Sequence, residues 1–484
     1  MKKFYNRKTE IQELNKIISK DQSVIILMYG RRRVGKSHLL TQLEPVEQLL
    51  IYHVCDYQKS ENQLLALIKQ ISTLGPDLEY LKHIEMTNWG DFWSLFLNLP
   101  YKLLLIMDEF PYLLKQAPEI PSILQNAWDN FTRQESTFFK KIILCGSSIS
   151  VMQELNDASK PLYGRITITS EILPLSYIHS RLFLEKFSKE VQLRIYMMVG
   201  GIPFYLEAIS QTPLTDQSLK GILTEILFSK FTFFREEIPI ELKLSTRSYS
   251  SYFSILLAIA HGKKTFSEIS KKTRINSKNL TYYLDTLIKA KLIAVEEFIF
   301  PHTNHRSFEI ADRFCNFWFT FYYAYSNELQ LLDPETYVET IVLPGLPSYF
   351  GFVFEEVCKE WLIQQSFDSQ NKLLPDKIVR LTRFHGTYYD SMKKNEKSYE
   401  IDIIGGSIKE EVFIVGECKW NKKSLPESDI KAFLAKITHM LSQRQKEIDK
   451  FQEIKYFFFT KIPVRLEMKT KYPNITFIQS NELF

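Results

Sequence analysis

The 484-residue sequence predicts an α/β protein that opens with a parallel β-sheet covered by helices on both faces. Up to about residue 175, short apolar runs alternate with longer amphipathic segments, which is typical of strands joined by crossover helices. The four runs lie at 24–28, 49–54, 102–107 and 141–145. A glycine-flanked stretch at residues 30–37 follows the first run directly. Because 484 residues exceed what one hydrophobic core usually serves, we expect two to four domains.

Composition indicates a folded protein of a reducing compartment. Hydrophobic residues make up 45% of the chain and charged residues 24%, which fits a globular protein. Five cysteines without CxxC spacing argue against a disulfide framework or a zinc site, so we expect a cytoplasmic location. No secretory signal is visible, and no run approaches the ~20 apolar residues of a membrane span, so no membrane partner is expected. The nearest run is 314–325. The net charge of +5 permits a nucleic-acid partner without requiring one.

Residues 30–37 read G-R-R-R-V-G-K-S, a complete phosphate-binding loop of the Walker A type. Gly30 and Gly35 let the backbone wrap close to phosphates, so that main-chain N–H groups and the next helix N-terminus face the anion. Lys36 is expected to reach the β- and γ-phosphates and Ser37 to ligate Mg²⁺. The apolar run before the loop and the helical pattern after it favour this interpretation over an incidental glycine-rich turn. The remaining residues of the predicted ATP-binding loop are Arg31, Arg32, Arg33, Val34 and His38.

Two acids end the third apolar run. Asp108 is expected to hold Mg²⁺, directly or through water, and Glu109 to polarise the attacking water as general base. An ordinary strand end would produce the same string. The phosphate-binding loop upstream decides between the two, and the sequence therefore predicts an Mg²⁺-dependent ATP site.

Two further polar residues have open assignments. Ser147 follows the fourth run, where its hydroxyl either lies beside the γ-phosphate or belongs to a plain serine-rich turn. Arg165 either supplies positive charge to the transition state or makes a surface salt bridge. Whether Arg165 would act on its own subunit's nucleotide is not readable from the sequence.

Six short motifs occur in an order that resembles a known family. They are Phe4-Tyr5-Asn6-Arg7 with Glu10, the loop at 30–37, Asp108-Glu109, Gly146-Ser147-Ser148, Leu162-Tyr163-Gly164-Arg165 and Gly200-Gly201-Ile202-Pro203. The first 240 residues or so are similar to the archaeal-type ATPase family, a branch of the AAA+/STAND-like P-loop ATPases. The resemblance implies that Asn6 and Arg7 lie near the adenine and that Pro203 belongs to a lid helix that contacts the nucleotide. It also implies that a winged helix and a domain resembling restriction endonucleases follow.

The third part of the chain reads as a winged helix. Three short helices are followed by a hairpin of 292–300 and 306–310, joined by 301–305, and Ser277 is the expected N-cap of the third helix. The turn and the start of this helix carry basic residues, namely Lys263, Lys264, Lys271, Lys272, Arg274 and Lys278. They favour DNA phosphate contacts or, alternatively, form a solvated face on a module that packs against the ATPase.

The C-terminal part carries a second candidate site. Strand-like runs at 399–404 and 412–419 place Asp402, Glu417 and Lys419 in a D…E-x-K pattern that resembles restriction-endonuclease-like enzymes. Asp402 and Glu417 would hold Mg²⁺ or Mn²⁺, Lys419 would orient a water, and Glu355 on the preceding helix would add a ligand. An alternating strand with surface charges gives a similar string, and this fold also occurs as an inactive binding module.

The sequence thus predicts a P-loop NTPase sheet (1–175) with a helical lid (176–245), a winged helix (246–335) and a restriction-endonuclease-like α/β domain (336–484). The leading hypothesis is an ATPase whose nucleotide state repositions the last two modules on DNA. The alternative is a STAND-like switch with slow turnover that recruits protein partners and does not cleave DNA. A homo-oligomer is compatible with either hypothesis.

Overall fold

A computed structural model describes residues 5–45, 47–214, 216–245, 249–296, 300, 306–368, 373–390, 395–420 and 425–483. The first part is an α/β unit with five strands. Its strands are β1 (Val24–Tyr29), β2 (Leu49–Val54), β3 (Leu103–Asp108), β4 (Lys140–Gly146) and β5 (Ile166–Glu171). Its helices are α1 (Lys8–Ile18), α2 (Lys36–Leu40), α3 (Ser60–Ile71), α4 (Trp89–Asn98), α5 (Phe110–Gln116), α6 (Ile120–Thr132) and α7 (Ile149–Glu154). A 3₁₀ segment, Pro76–His83, precedes α4.

The five strands form one parallel sheet in the order β2-β3-β4-β1-β5. Every residue of β1, β3 and β4 is buried, because helices cover both faces of the sheet. The predicted parallel sheet is confirmed, and the four predicted strands match to within two residues at each end. The prediction missed β5, whose exposed and polar residues give no apolar run.

A helical segment follows the sheet. Its elements are α8 (Tyr177–Ser180), a 3₁₀ turn (Arg181–Phe183), α9 (Lys189–Val199), α10 (Pro203–Gln211), α11 (Leu219–Ile222), a π-helical turn (Leu223–Leu227), a 3₁₀ turn (Phe233–Arg235) and α12 (Glu237–Ser245). The predicted helix boundary at Pro203 is confirmed, since proline is favoured at the first helical position. Gly201 is required nearby, because a Cβ atom there would lie 1.7 Å from the carbonyl oxygen of Leu175.

The third segment has three helices and a two-stranded antiparallel sheet. Its elements are α13 (Tyr249–Ala260), α14 (Phe266–Thr273), α15 (Ser277–Lys289), β6 (Ile293–Glu296), β7 (Ser307–Ile310), α16 (Arg313–Trp318), a π-helical turn (Phe319–Tyr323) and α17 (Ser326–Leu331). The element order is the predicted one. The segment 301–305, predicted to join the strands, lies outside the described residues. The predicted N-cap Ser277 is wrong, because Asn276 caps α15 by accepting the backbone N–H of Asn279 at 3.0 Å.

The last segment is built around a mixed five-stranded sheet. Its elements are α18 (Pro334–Tyr337), a π-helical turn (Val338–Val342), α19 (Leu343–Phe367), β8 (Thr382–Asp390), β9 (Asn395–Gly406), β10 (Val412–Lys419), α20 (Glu427–Ile448), β11 (Glu453–Thr460), α21 (Leu466–Lys471), β12 (Ile475–Gln479) and a 3₁₀ turn (Ser480–Glu482). The strand order is β12-β11-β10-β9-β8. β8, β9 and β10 are antiparallel neighbours, whereas β10, β11 and β12 run parallel. The helix expected around Phe354 and Trp361 is confirmed as part of the longer α19.

By length and composition alone, the helical run Pro334–Phe367 is long and apolar enough to cross a membrane. This run lies further along the chain than 314–325, the nearest apolar run expected from the sequence. Within the described part of the protein, 44% of the apolar window of this run is buried. Its buried face includes Phe354, whose ring packs 5.0 Å from that of Trp420 beside β10. A core helix passes the same test of length and composition.

The segments share one hydrophobic core that runs from β1 to β12. Glu360 of α19 ties the C-terminal part to the helical segment, because its carboxylate accepts the Tyr196 hydroxyl at 2.8 Å, the Tyr177 N–H at 3.1 Å and the Arg313 guanidinium at 3.0 Å. Trp318 of α16 ties the third segment to the helical segment, because its indole N–H donates to the Arg235 carbonyl at 2.8 Å. The third and C-terminal segments are therefore both tied to the helical segment.

Candidate functional site

The glycine-flanked loop connects β1 to α2, and its two glycines are required for different reasons. A Cβ at Gly30 would lie 2.2 Å from the carbonyl oxygen of Ile172, so Gly30 allows a close approach to the end of β5. Gly35 has φ +95°, a left-handed conformation that side chains rarely adopt. The loop therefore takes the tight turn that places the start of α2 at the carboxyl edge of the sheet.

Lys36 and Ser37 occupy the first turn of α2. The Lys36 ammonium is buried and donates to the carbonyl oxygens of Gly30 at 2.9 Å and Arg31 at 3.0 Å. Ser37 and His38 are exposed at the mouth of the loop. This arrangement holds a cation inside the turn and presents a hydroxyl outside it, as a phosphate-binding loop requires.

Asp108 and Glu109 follow β3 at the same edge. Asp108 is 2% exposed, and its Oδ1 accepts the Glu109 N–H at 2.9 Å. Glu109 is left-handed at φ 55°, a rare conformation for a non-glycine residue. Its Oε2 accepts the Ser147 hydroxyl at 2.7 Å and the Ser147 N–H at 3.2 Å. The structure therefore brings both predicted acids and Ser147 together at the carboxyl ends of β3 and β4.

Sequence reasoning missed two residues behind Asp108. The Tyr52 hydroxyl on β2 donates to Asp108 Oδ2 at 2.8 Å. Burial and the Asp108 charge raise the pKa of Tyr52, so the hydroxyl keeps its proton. Cys145 on β4 is buried beside them, and burial raises the pKa of its thiol. Neither residue lies in a motif, and only the strand order places β2 beside β3.

Arg31 leaves the loop as one member of a buried ion triad. Its guanidinium donates from Nε to Glu241 Oε1 at 3.1 Å and from Nη2 to Oε2 at 2.5 Å, and its Nη1 pairs with Asp312. Glu241 lies on α12, whereas Asp312 caps α16 just after β7. Burial opposes ionisation of Arg31, but the charges of Asp312 and Glu241 outweigh it and hold the pKa well above its usual value.

Arg33 also points towards the helical segment. It pairs with Glu237 of α12 at 2.7 Å and stacks over the rings of Phe204 at 4.2 Å and Phe233 at 4.9 Å. The guanidinium groups of Arg31 and Arg33 are thus engaged by carboxylates outside the loop. Their expected contacts with ATP would therefore come from their main-chain N–H groups.

The residues implied by the family resemblance lie next to the loop. Arg7, left-handed at φ 69° like Asn6 at φ 59°, donates to the carbonyl oxygens of Val34 at 3.3 Å and Leu173 at 2.5 Å. Pro203 faces the loop from α10, because a Cβ on Gly35 would lie 3.9 Å from its Cγ atom. The N-terminal residues and the first turn of α10 therefore border the loop from two sides.

Arg165 lies at the wrong edge of the sheet for this site. The parallel register puts Ile166 opposite Ile25, so Arg165 is level with Val24 at the start of β1, six residues before Gly30. At about 3.3 Å per residue, this is roughly 20 Å along the strand. Arg165 forms a bidentate pair with Asp129, at 3.0 and 2.8 Å. The structure thus places Arg165 away from this chain's own loop, and its action on a nucleotide stays a prediction.

The C-terminal strands bring Asp402 and Glu417 together, as the antiparallel register predicts. Gly416 lies opposite Ile403, and Asp402 Oδ2 accepts the Cys418 N–H at 2.7 Å. Burial, with the charges of Glu417 and Glu355, raises the pKa of Asp402 to about 7. Glu417 Oε1 accepts Lys419 at 2.6 Å and, from α20, Lys436 at 2.7 Å. No motif marks Lys436, which lies in a helix with many charged residues.

Glu355 does not join these two carboxylates as a third ligand. Its Oε2 accepts Arg383 Nε at 2.8 Å, and Arg383 also pairs with Glu309 of β7 at 3.1 Å. In the parts of the chain that the structure describes, no group of three His, Cys, Asp or Glu side chains is arranged to hold a metal ion. The expected set of three carboxylates is therefore not assembled, because Arg383 engages Glu355.

Comparison with known proteins identifies two regions of the chain. Residues 4–209 match a family described as an ATPase domain predominantly from Archaea, and residues 318–433 match archaeal and bacterial proteins of unknown function. Among solved structures, the Walker-type ATPase of Pyrococcus abyssi is 19% identical, covers 65% of this chain and 96% of that chain, and has a TM-score of 0.48. The ORC2 protein of Aeropyrum pernix, in ADPNP–ADP complexes, is 13% identical, covers 68% and 95%, and has a TM-score of 0.44.

One relative matches nearly the whole chain. An uncharacterized protein of Methanocaldococcus jannaschii is 30% identical over 431 residues, which is 88% of this chain and 89% of the relative. The N-terminal match to the ATPase domain coincides with the phosphate-binding loop, the two acids after β3 and Ser147. The chain therefore belongs to the family of this archaeal relative and carries the ATPase domain found predominantly in Archaea.

Proposed function

We propose that the protein is an Mg²⁺-dependent ATPase whose nucleotide state controls a winged helix and a nuclease-like domain on DNA. The observation that carries the proposal is the buried Arg31 triad. One side chain of the phosphate-binding loop is paired with Glu241 of the helical lid and with Asp312 at the end of the winged helix. A displacement of the loop is therefore transmitted to the helical lid and to the winged helix.

The residues at the carboxyl edge of the sheet divide the work of hydrolysis. Ser37 and Asp108 offer only oxygen donors, which fits Mg²⁺, and the bound cation would neutralise charge on the phosphate oxygens. When ATP binds, the Lys36 ammonium donates to the phosphates in place of the Gly30 and Arg31 carbonyl oxygens. Glu109 accepts a proton from the attacking water, and Ser147 orients that carboxylate.

Lys36 supplies the physical link between phosphate binding and the triad. Its ammonium holds the carbonyl oxygen of Arg31, and the Arg31 side chain holds Glu241 and Asp312. When Lys36 turns to a phosphate, the Arg31 backbone loses this donor. Because a buried guanidinium cannot leave its carboxylates cheaply, a shift of the loop moves α12 and the end of β7 with it.

A second link runs through Ser147. The loop that contains Ser147 and Ser148 lies against Thr286 and Leu287 in the C-terminal half of α15, where they line one small cavity. The serine that holds the general base is therefore next to the helix proposed to read DNA. The state of the ATP site reaches the winged helix by two separate contacts.

The free half of α15 is suited to DNA. Lys278, Asn279 and Tyr282 near its N-terminus are exposed, and Tyr282 is 62% exposed. In helix-turn-helix modules the N-terminal residues of the second helix contact the base edges. The six basic residues named from the sequence are all exposed, as phosphate contacts require. Lys271, Lys272 and Arg274 lie at the end of α14, just before α15, whereas Lys263 and Lys264 precede α14.

The C-terminal domain is proposed to be nuclease-like. Glu417 is 2% exposed and its Oε2 has no hydrogen-bond partner, which leaves a buried carboxylate oxygen beside Asp402 for a divalent cation. Asp402 and Glu417 would hold Mg²⁺ or Mn²⁺, and Lys419 would position a water at the scissile phosphate. Lys436 is positioned to support Glu417 from α20.

A STAND-like switch is the second candidate, and the hold of Ser147 on Glu109 favours it. Two hydrogen bonds from Ser147 already engage the Glu109 carboxylate, so ATP is hydrolysed slowly. The Arg31 triad meanwhile keeps the lid and the winged helix attached to the loop. In that case the later modules recruit protein partners and do not cleave DNA.

We expect Lys36→Ala to weaken ATP binding about 10- to 100-fold, because hydrogen bonds to charged groups contribute roughly 1.5–3 kcal/mol. Titration calorimetry with ATP and Mg²⁺ measures the loss. Lys160→Ala, at an exposed lysine of the loop before β5, is the matched control and should bind as the parent does. Equal affinity of Lys36→Ala and the parent would refute the assigned phosphate contact.

Glu109→Gln is expected to keep ATP binding and to lower turnover about 10²- to 10⁴-fold, because it removes the general base. Phosphate release at saturating ATP measures turnover. Glu119→Gln, at an exposed glutamate before α6, should leave turnover unchanged. A parent that binds ATP and turns over as slowly as Glu109→Gln supports the switch, whereas rapid and equal turnover in both contradicts the assigned base.

Nucleotide should change DNA affinity through the Arg31 triad. In mobility shifts at low salt, where phosphate contacts are strongest, the parent should bind mixed-sequence DNA with an affinity that changes when ATP and Mg²⁺ are added. Asp312→Asn should lose the nucleotide effect while keeping its helix cap, since asparagine caps as well as aspartate.

The matched control is Asp333→Asn, at another aspartate that caps a helix but has no part in the triad. It should behave like the parent. A nucleotide effect of equal size in Asp312→Asn would contradict the proposed coupling. No DNA binding by the parent would favour the protein-recruiting switch.

For the C-terminal site, we expect the parent to nick supercoiled plasmid with Mg²⁺ or Mn²⁺. Asp402→Asn and Lys419→Ala should each abolish nicking, because they remove a metal ligand and the water-orienting amine. Asp449→Asn, at an exposed aspartate that ends α20, serves as control. If the parent nicks with neither metal, the domain is a binding module and not a nuclease.

A further inference from the structure

Tyr52 is an unexpected neighbour of the ATP site. It lies in the middle of β2, in no motif, and the parallel register places it opposite Ile106, two residues before Asp108. Its hydroxyl donates to Asp108 Oδ2 at 2.8 Å. One phenol therefore contacts a carboxylate to which Mg²⁺ binding is assigned.

These contacts restrict the Asp108 carboxylate. Oδ1 accepts the Glu109 N–H at 2.9 Å and Oδ2 accepts the Tyr52 hydroxyl, so both oxygens are held and the group cannot rotate. A carboxylate oxygen has two lone pairs, and each oxygen keeps one for another partner. Asp108 is thus oriented and still able to accept a metal ion or a metal-bound water.

The hydroxyl is the donor in its bond to Asp108, because a carboxylate oxygen accepts. A phenol can donate only one hydrogen bond, and this one goes to Asp108 Oδ2. The donor of Tyr52 is therefore committed to the Asp108 carboxylate.

We infer that Tyr52 is a positioning residue for Mg²⁺, which it serves by orienting Asp108. The inference rests on the proposed Mg²⁺-nucleotide site and deepens it. Mg²⁺ demands a near-ideal octahedral arrangement of oxygen ligands, so it is sensitive to ligand orientation. Loss of a hydrogen-bond partner behind a metal ligand typically costs 10- to 100-fold in metal affinity.

Tyr52→Phe isolates the hydroxyl, since the half-buried ring that packs on the sheet is retained. We would measure the affinity of a fluorescent ADP over a range of free Mg²⁺ concentrations, and Mn²⁺ binding in the presence of ADP by electron paramagnetic resonance. In Tyr52→Phe the free Mg²⁺ for half-maximal effect should rise about tenfold and Mn²⁺ binding should weaken similarly. ADP affinity in excess EDTA should equal that of the parent.

The control is Tyr101→Phe, which removes another tyrosine–aspartate hydrogen bond, to Asp77 at the surface. It should match the parent in every measurement. Equal Mg²⁺ dependence in Tyr52→Phe and the parent overturns the inference and leaves the nucleotide site intact. So does a loss of ADP affinity that is equally large in EDTA, because Tyr52 would then act on the nucleotide or the fold. A parent that binds no ADP at any Mg²⁺ concentration refutes the nucleotide site itself.

Discussion

The buried charge of Arg31 is the constraint on which the arrangement of the segments depends. A guanidinium that is 4% exposed must be paired, and its partners come from two segments that are distant in sequence, Glu241 of α12 and Asp312 after β7. Breaking a buried pair by removing one partner typically costs about 3–5 kcal/mol, because a charge is left uncompensated. The phosphate-binding loop, the helical segment after the sheet and the third segment are therefore joined through one buried side chain. Arg33 forms a second, more exposed ion pair of the same kind, with Glu237 one turn earlier on α12.

The geometry of a parallel sheet explains which predicted residues meet and which do not. The carboxyl ends of β1, β3 and β4 share one edge, so Lys36, Asp108 and Ser147 converge although they are far apart in the chain. The same rule removes Arg165, which precedes a strand and so lies at the opposite edge, with Asp129. Polar side chains then orient one another within the edge. Ser147 holds Glu109, and Tyr52 holds Asp108.

The C-terminal part is connected to the two-stranded sheet of the third segment by a similar use of charge. Arg383 of β8 pairs with Glu309 of β7 and with Glu355 of α19. This arginine therefore joins the small two-stranded sheet to the C-terminal part. Asp402 and Glu417 stay paired across β9 and β10, whereas Glu355 is engaged by Arg383. The contacts from the ATP site and from the C-terminal part thus both lie near the end of β7, at Asp312 and at Glu309.

Local sequence determined the elements whose chemistry is written in consecutive residues. The loop at 30–37, the acids after β3 and the strands of continuous apolar residues could be read directly, because a phosphate-binding turn and a strand buried on both faces each leave a contiguous signature. Only the tertiary structure decided the partners of Arg31, the place of Tyr52 and the loss of Glu355 to Arg383. These depend on strand order and on contacts between residues up to 281 positions apart, and no pattern within a segment records which distant charge will neutralise a buried one.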